Sequence, residues 1–486
     1  MFFMEVGKES AWKMLKKLIK VISAVMIITI FSSNVMIGKG RINNAITAEI
    51  TILPQKKYQK IEGFGVSGAW WAQDVGSWSN LGEILDYLFH KEKGIGLTIY
   101  RYNVGAGPKY NNVNDPWRRT ECFEVAPGKY DWNRDKNAQK ALFEAVKRGV
   151  DTVVLFANSP PGRMTKNGYT SGDFWGGSNF KSGMEKEFSK FLCDVAEYFI
   201  KKGVPVKYIS PINEPQWNWK ENQEGCHYTV EEAYRVAKAL VAEIKRRKLK
   251  VKPSFIESGK WFDPDYTFKM YELLTNDKEI REIMDHFAVH SYWSDEFDKK
   301  MAKNFFDKTK FKLPLYMTEW CQMESGRDLG MGGALKLAKT LHEDLTILSV
   351  SSWQHWIAVS CYDYNDGLIY VDKNTHKYYV AKRLWAFGNW SRYVRPGYVR
   401  IDAKSKSDTD LLVSSFISPD DKRIVTIVIN QAEDSKNVKF KGVENYKAVK
   451  IIETNEKNSL KEIYKGPKKD IYTLTPTSVT TFVFSL

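Results

Sequence analysis

Cysteine is scarce in this chain of 486 residues: there are five, at positions 122, 193, 226, 321 and 361. Widely spaced and odd in number, they cannot all pair within one chain, and with no CxxC pair and no Cys/His cluster the sequence offers no metal site. Cys321 and Cys361 both fall near strand ends, where a bridge is conceivable without other support, and Cys193 reads as packing on a helix. No glycine-rich phosphate loop follows the first strand candidate, which argues against a doubly wound nucleotide-binding sheet. Internal repeats and low-complexity linkers are missing too. No basic stripe interleaves with aromatics, so no nucleic-acid partner is expected.

Basic side chains outnumber acidic ones by 73 to 58, a formal net charge of +15. Residues 1–48 hold seven basic and two acidic groups, so without them the balance is 66 to 56, or +10. Short basic runs at 245–250 and 465–469 read as solvated faces, with attraction to acidic polysaccharide or cell wall as the alternative. Lys16, Lys17 and Lys20 precede an apolar run over 21–37 and small residues ending at Ala48, the layout of an export signal. The mature chain is then expected to begin near Glu49 and to be secreted or held at the cell surface without stable membrane association. The competing reading is an uncleaved anchor, because the run is borderline in length for a bilayer. Ser23, Ser32, Ser33 and Asn34 within the run favour cleavage.

What is plentiful is apolar and aromatic: 43% of the chain is hydrophobic and 14% is Phe, Trp or Tyr, enough for one large core with a smaller companion. Many aromatics fall near strand ends, where they could stack on sugar rings as well as pack. Between about 60 and 390, short β-branched and aromatic runs alternate with amphipathic stretches. Eight strands are expected, at 61–70, 97–104, 152–158, 206–213, 252–257, 286–292, 315–319 and 352–356. Among the helices, 184–202 carries Phe188, Phe191, Leu192, Val195 and Phe199 on one face, and Thr229 with Glu232 forms a capping box for the next. Eight such units predict an α/β fold, a (β/α)8 TIM barrel. After Arg392 alternating runs replace helical periodicity, which predicts an accompanying antiparallel β-sandwich. The expected division is a signal at 1–48, an N-terminal strand at 49–60 joining the sandwich, a catalytic barrel at 61–392 and the sandwich at 393–486.

Glu214 ends the fourth expected strand and Glu319 the seventh, so a barrel brings both carboxyls to its C-terminal mouth. Paired carboxyls there suit glycoside hydrolysis, with retention at a separation of roughly 5–5.5 Å and inversion at roughly 6.5–9.5 Å. The structural alternative for either glutamate alone is a carboxylate bonded to a nearby arginine.

Asn213-Glu214-Pro215 together with Thr318-Glu319-Trp320 resembles the clan A glycoside hydrolases. Further segments narrow the resemblance to glycoside hydrolase family 30. They are Glu62-Gly63-Phe64-Gly65 with Trp70-Trp71, the run from Tyr100-Arg101 to Gly105, Asn158-Ser159-Pro160-Pro161 with Met164-Thr165, and His290-Ser291-Tyr292-Trp293. The match runs from about Lys60 to the C-terminus and includes the sandwich. The resemblance implies Glu214 as general acid/base and Glu319 as nucleophile, acting with retention and needing neither metal nor organic cofactor.

It also implies that Asn213 bonds the hydroxyl beside the anomeric carbon and that Arg101 holds Glu319 ionised, a buried structural ion pair being the compatible alternative. Tyr292 would bond Glu319, and His290 would line the sugar site unless it is a satisfied core histidine. Asn158 and Trp356 would touch the innermost sugar. Trp70, Trp71, Trp217 and Trp219 are candidate stacking platforms, or packing only. The expected partner is a polysaccharide or oligosaccharide, bound by a monomer.

The family spans glucosylceramide, β-1,6-glucan, β-1,6-galactan and xylan. The insertion at 217–228 with the segment 65–71 looks most like the endo-β-1,6-galactanase branch. A glucuronoxylanase would need a basic pocket for the uronate, for which Arg392, Arg395 and Lys404 are the candidates. A β-1,6-glucanase of the same family would share these motifs, as would a non-catalytic carbohydrate-binding protein on this scaffold.

Overall fold

A computed structural model describes residues 47–107, 112–172, 177–220, 222–406 and 408–486. The export segment expected over 1–48 lies almost wholly outside the described residues; Ala48 itself is the first residue of a strand. Among the described residues no helix is long and apolar enough to cross a membrane.

Parallel strands at Gly63–Ser67, Ile99–Asn103, Thr152–Phe156, Val206–Ser210, Phe287–Val289, Leu315–Met317 and Ser352–Ser360 follow one another around a ring in chain order. The last pairs back onto the first, Ser352 opposite Gly63. The fifth position is filled by a broken strand. Lys252–Pro253 pairs with the fourth strand and Ile256–Ser258 with the sixth, so the ring closes through Ser254 and Phe255. Proline has no N–H for a ladder, which is the local reason for the interruption at Pro253. Helices on the outside cover strands that are buried on both faces, as a parallel sheet requires.

The helices follow from the sequence pattern. Glu185–Lys201 buries Phe188, Phe191, Leu192, Val195 and Phe199. Val230–Arg247 opens on the capping box, with the Glu232 N–H donating to Thr229 Oγ1 at 3.2 Å and the Thr229 N–H to Glu232 Oε2 at 2.9 Å. Such a cap stabilises a helix by about 1 kcal/mol. Lys245, Arg246 and Arg247 in its last turn complement the helix dipole. Beyond the eighth strand, Gly367–Val371 adds alongside it and Tyr378–Val380 returns as a hairpin.

The C-terminal strands form a nine-stranded sheet folded over its own core. Ala48–Lys60 belongs to it, antiparallel to Val399–Ser405 and parallel to Lys436–Lys441. Strand Arg423–Asn430 shows how sandwich and barrel are joined. Ile424 and Val428 face the sandwich core, whereas Val425, Ile427 and Ile429 join the barrel core. From helix Lys382–Ser391, buried Asn389 donates to Thr454 Oγ1 at 2.8 Å and accepts from Thr481 Oγ1 at 2.9 Å. All five cysteines are free thiols, Cys321 and Cys361 included, so the conceivable bridge is not formed.

Candidate active site

Four non-glycine residues at strand ends around the mouth sit in the left-handed region: Trp70 (φ 33°), Glu214 (φ 42°), Glu257 (φ 58°) and Trp293 (φ 43°). Each such residue costs roughly 1–3 kcal/mol and persists where its surroundings hold it, commonly at functional sites. Glu214 is held on both sides. Its N–H donates to the Glu257 carbonyl at 2.8 Å, and its carbonyl accepts from the Trp217 N–H at 3.1 Å and Trp219 Nε1 at 3.2 Å.

The two glutamates meet at the mouth. One carboxyl oxygen of Glu214, one of Glu319 and a ring nitrogen of His290 lie within 4.8 Å of one another. Carboxyl oxygens this close suit the short separation of a retaining pair better than the wider one of an inverting pair. Arg101, fully buried, donates Nη1 to Glu319 Oε2 and Nη2 to Asn213 Oδ1 at 2.7 Å, with its guanidinium 3.8 Å from the Phe156 ring centroid. Tyr292 Oη donates to Glu319 Oε1 at 3.2 Å.

His290 differs from expectation: it is fully buried behind the carboxyls instead of lining the cleft. Its Nδ1 lies 3.0 Å from Glu214 Oε1 and its Nε2 3.1 Å from Glu257 Oε2, with Glu319 Oε1 3.7 Å from Nδ1. Burial alone would lower its pKa, but Glu319, Glu214 and Glu257 outweigh it and raise the imidazole to about 9. Glu257, absent from the candidates named above, is the buried counter-charge. Burial would raise its carboxyl, yet His290, Arg101 and Thr318 bring it down to about 2. The available signal was its place at the end of the fifth expected strand. Glu214 is shifted upward, by burial first and then by the Glu319 charge, against the pull of His290 and Arg101. Glu214, His290 and Glu319 could together offer atoms to a cation, but both imidazole nitrogens already face carboxylates as donors, so the donor set suits proton handling instead.

A cleft of about 940 Å³ opens above this cluster. Trp70, Asn213, Trp217, Trp219, Tyr292 and Trp356 line it with the two glutamates. Trp71 is a correction. Its indole is completely buried and its Nε1 donates to the Ser67 carbonyl at 3.0 Å, because the left-handed turn at Trp70 sends the two neighbours to opposite sides. Asn158 is also not brought into the cleft lining; it is buried, 3.5 Å from Asn103. Arg101 works from beneath, through Glu319 and Asn213. The cleft adds residues not named as site candidates, among them Arg118, Gln216, Trp293, Tyr362 and Asp366. Several hang in the connections after the strands, where length and composition vary too freely to be read from periodicity.

Residues 47–370 match the O-glycosyl hydrolase family 30, and residues 397–482 match the glycosyl hydrolase family 30 beta sandwich domain. The chain is 25% identical to an endo-beta-1,6-galactanase of Hypocrea rufa over 385 residues, 72% of this chain and 75% of that protein. It is 22% identical to glucuronoxylanase XynC of Bacillus subtilis, over 87% of each chain. Among solved structures, a conserved exported protein from Bacteroides fragilis superposes with a TM-score of 0.81 at 26% identity, covering 89% of this chain and 99% of that one. The barrel with its sandwich, the close carboxyl pair at the mouth and these matches have one reading: the chain belongs to glycoside hydrolase family 30, a family of retaining enzymes.

Proposed function

We propose that the chain is an exported, monomeric endo-acting hydrolase of a neutral β-linked polysaccharide of the β-1,6-galactan type, with Glu319 as nucleophile and Glu214 as general acid/base. The unequal surroundings of the two carboxyls carry the assignment of roles. Glu214 is shifted toward its protonated form, and His290 donating to its Oε1 leaves the other oxygen to carry the proton. Glu319 faces Arg101 and Tyr292 with its two oxygens, as a carboxylate positioned for attack would.

In the first step Glu319 bonds to the anomeric carbon while Glu214 transfers its proton to the departing glycosidic oxygen. Asn213, oriented by Arg101, has its amide N–H free to turn to the adjacent sugar hydroxyl. Once Glu319 is esterified its negative charge is gone, which removes one of the influences that raise Glu214. Glu214 then takes a proton from water, the oxygen bonds to the anomeric carbon, and Glu319 leaves as carboxylate. Configuration is retained after two inversions.

The choice of a neutral sugar rests on the galactanase relative and on the charges of the cleft. Arg118 lines it, but Nε bonds Tyr362 Oη at 3.0 Å, Asp115 lies 3.8 Å away, and the guanidinium packs over Trp70 and Tyr362. Asp363 and Asp366 contribute carboxyls to the same lining, which disfavours a uronate there. Arg392 and Arg395 bond backbone carbonyls of Glu92 and Gly96, and none of Arg392, Arg395 and Lys404 lines the cleft. Export rests on the N-terminal sequence pattern and on the likeness to an exported protein.

The test is Glu319→Gly assayed on β-1,6-galactan, β-1,6-glucan and glucuronoxylan with and without azide. The expected result is loss of hydrolysis, with azide restoring turnover and yielding an α-glycosyl azide from the galacto-substrate. Unchanged hydrolysis by the variant overturns the nucleophile assignment, and wild-type preference for glucuronoxylan overturns the neutral-sugar reading.

A further inference from the structure

The eight-stranded ring separates the aromatic lining of the cleft into two groups. Trp70 follows the first strand and Trp356 belongs to the eighth, their rings 5.1 Å apart in an edge-to-face contact. On the opposite arc, Trp217 follows the fourth strand and Trp293 the sixth, their rings 4.9 Å apart at 65°. The second pair stands beside Glu214: a Cβ placed on Gly259 would meet Trp217 Nε1 at 2.8 Å and Glu214 Oε1 at 2.9 Å, so the Trp217 indole and the Glu214 carboxyl face the same point of the backbone. Trp293 is 57% exposed although it lies beside buried Tyr292, and its left-handed backbone is what turns the indole outward. An exposed tryptophan braced by a second tryptophan at the rim of a catalytic cleft is suited to stacking on a sugar face.

Two buried contacts fasten the C-terminal part of the insertion that carries Trp217. Buried Glu224 accepts from the Gly107 N–H at 3.0 Å and the Ala106 N–H at 3.5 Å, which fastens the insertion to the connection after the second strand. Gly225 packs so closely on Trp219 that a Cβ there would come within 2.3 Å of the indole, and its N–H donates to the Thr170 carbonyl at 3.0 Å. From the same insertion Asn218 and Asn222, both exposed, join the cleft lining. Uncharged amides beside an aromatic surface recognise hydroxyls without demanding a charge.

We infer that Trp293 and Trp217, with the amides of the insertion, form the subsite for the first sugar of the departing fragment, making Trp293 a specificity-determining residue for cleavage inside a chain. The inference rests on the proposed acid role of Glu214, because the departing group must leave on the side of the proton donor. A cleft of about 940 Å³ with aromatic groups on both sides of the carboxyl pair accommodates a chain that crosses the reacting bond.

The experiment compares substrates that share the sugar attacked and differ only in the group that leaves. Trp293→Ala and Trp293→Phe are assayed on β-1,6-galactotetraose and on β-1,6-galactobiosyl fluoride, whose fluoride occupies no sugar subsite. For Trp293→Ala, kcat/KM on the tetraose is expected to fall at least tenfold more than on the fluoride, with products shifting away from internal cleavage. Trp293→Phe is expected to recover most of the loss, and both variants should unfold at the wild-type temperature. Equal losses on the two substrates, or no loss on either, overturn the inference. If the wild-type enzyme acts on xylan instead, the galactan reading has failed, and xylotetraose with xylobiosyl fluoride puts the same question to Trp293.

Discussion

The barrel mouth and the seam between barrel and sandwich both bury polar groups, but in opposite ways. Around Asn389 and Trp390 in the seam they are neutral and paired: Asn389 is shared by Thr454 and Thr481, and Trp390 Nε1 donates to Ser414 Oγ at 3.1 Å. At the mouth they are charged and crowded, three glutamates around one arginine and one histidine, on a backbone strained at four positions. Paired neutral groups add rigidity at little cost, whereas charges kept out of water burden the fold unless each has a partner. Two histidines make the same point. His355, in the eighth strand, is as buried as His290, but burial and then the Arg383 charge lower it to about 3. Carboxylates, not burial, make His290 basic.

Neutralising the nucleophile at the mouth should affect chemistry far more than stability. Glu319→Gln is expected to lower kcat on the preferred glycan by roughly 10⁴-fold or more, while thermal unfolding stays within a few degrees of wild type.

Glu257→Gln removes a charge that keeps His290 protonated, and breaking such a buried ion pair costs about 3–5 kcal/mol. The sign of its pH dependence follows from the shifts. His290 is raised from 6.5 to about 9, so its stabilising effect is complete below pH 6.5 and is lost as pH rises through 9. Glu257 is lowered from 4.5 to about 2, so its effect is complete above pH 4.5 and is lost as pH falls through 2. Urea unfolding at pH 6, 8 and 9.5 should therefore show wild-type stability falling with pH over this range and a flatter profile for the variant.

At the seam the pattern is expected to invert. Asn389→Leu removes the side-chain amide shared by Thr454 and Thr481, leaving Thr454 Oγ1 with the Leu460 N–H and Thr481 Oγ1 with the backbone carbonyl of residue 389, and should cost about 2 kcal/mol in denaturant unfolding, with kcat and KM unchanged below the unfolding transition. Trp71→Phe is the smallest effect. It removes the indole bond to Ser67 at a cost of about 1 kcal/mol and should leave KM unaltered, because Trp71 has no face in the cleft.

Much of this was legible in the sequence because it depends on local periodicity. The strand ends that carry Glu214 and Glu319, the capping box at Thr229 and the change of pattern after Arg392 are all short-range signals. The broken fifth strand was not legible, since its two halves are distinguished only by which neighbour each pairs with. Trp70 and Trp71 read alike in sequence, and a left-handed turn separated them. Glu257 looked like a strand terminus, and His290 like a residue facing sugar.

The sequence by itself therefore determined the ring of strands and the two carboxyls at one mouth, because these follow from spacing along the chain, and its motifs carried the resemblance to the family. Only the tertiary structure decided the charges around them. His290 meets Glu257 from 33 residues away and Glu214 from 76, and the sign of its pKa shift depends on distance and desolvation that no local pattern encodes.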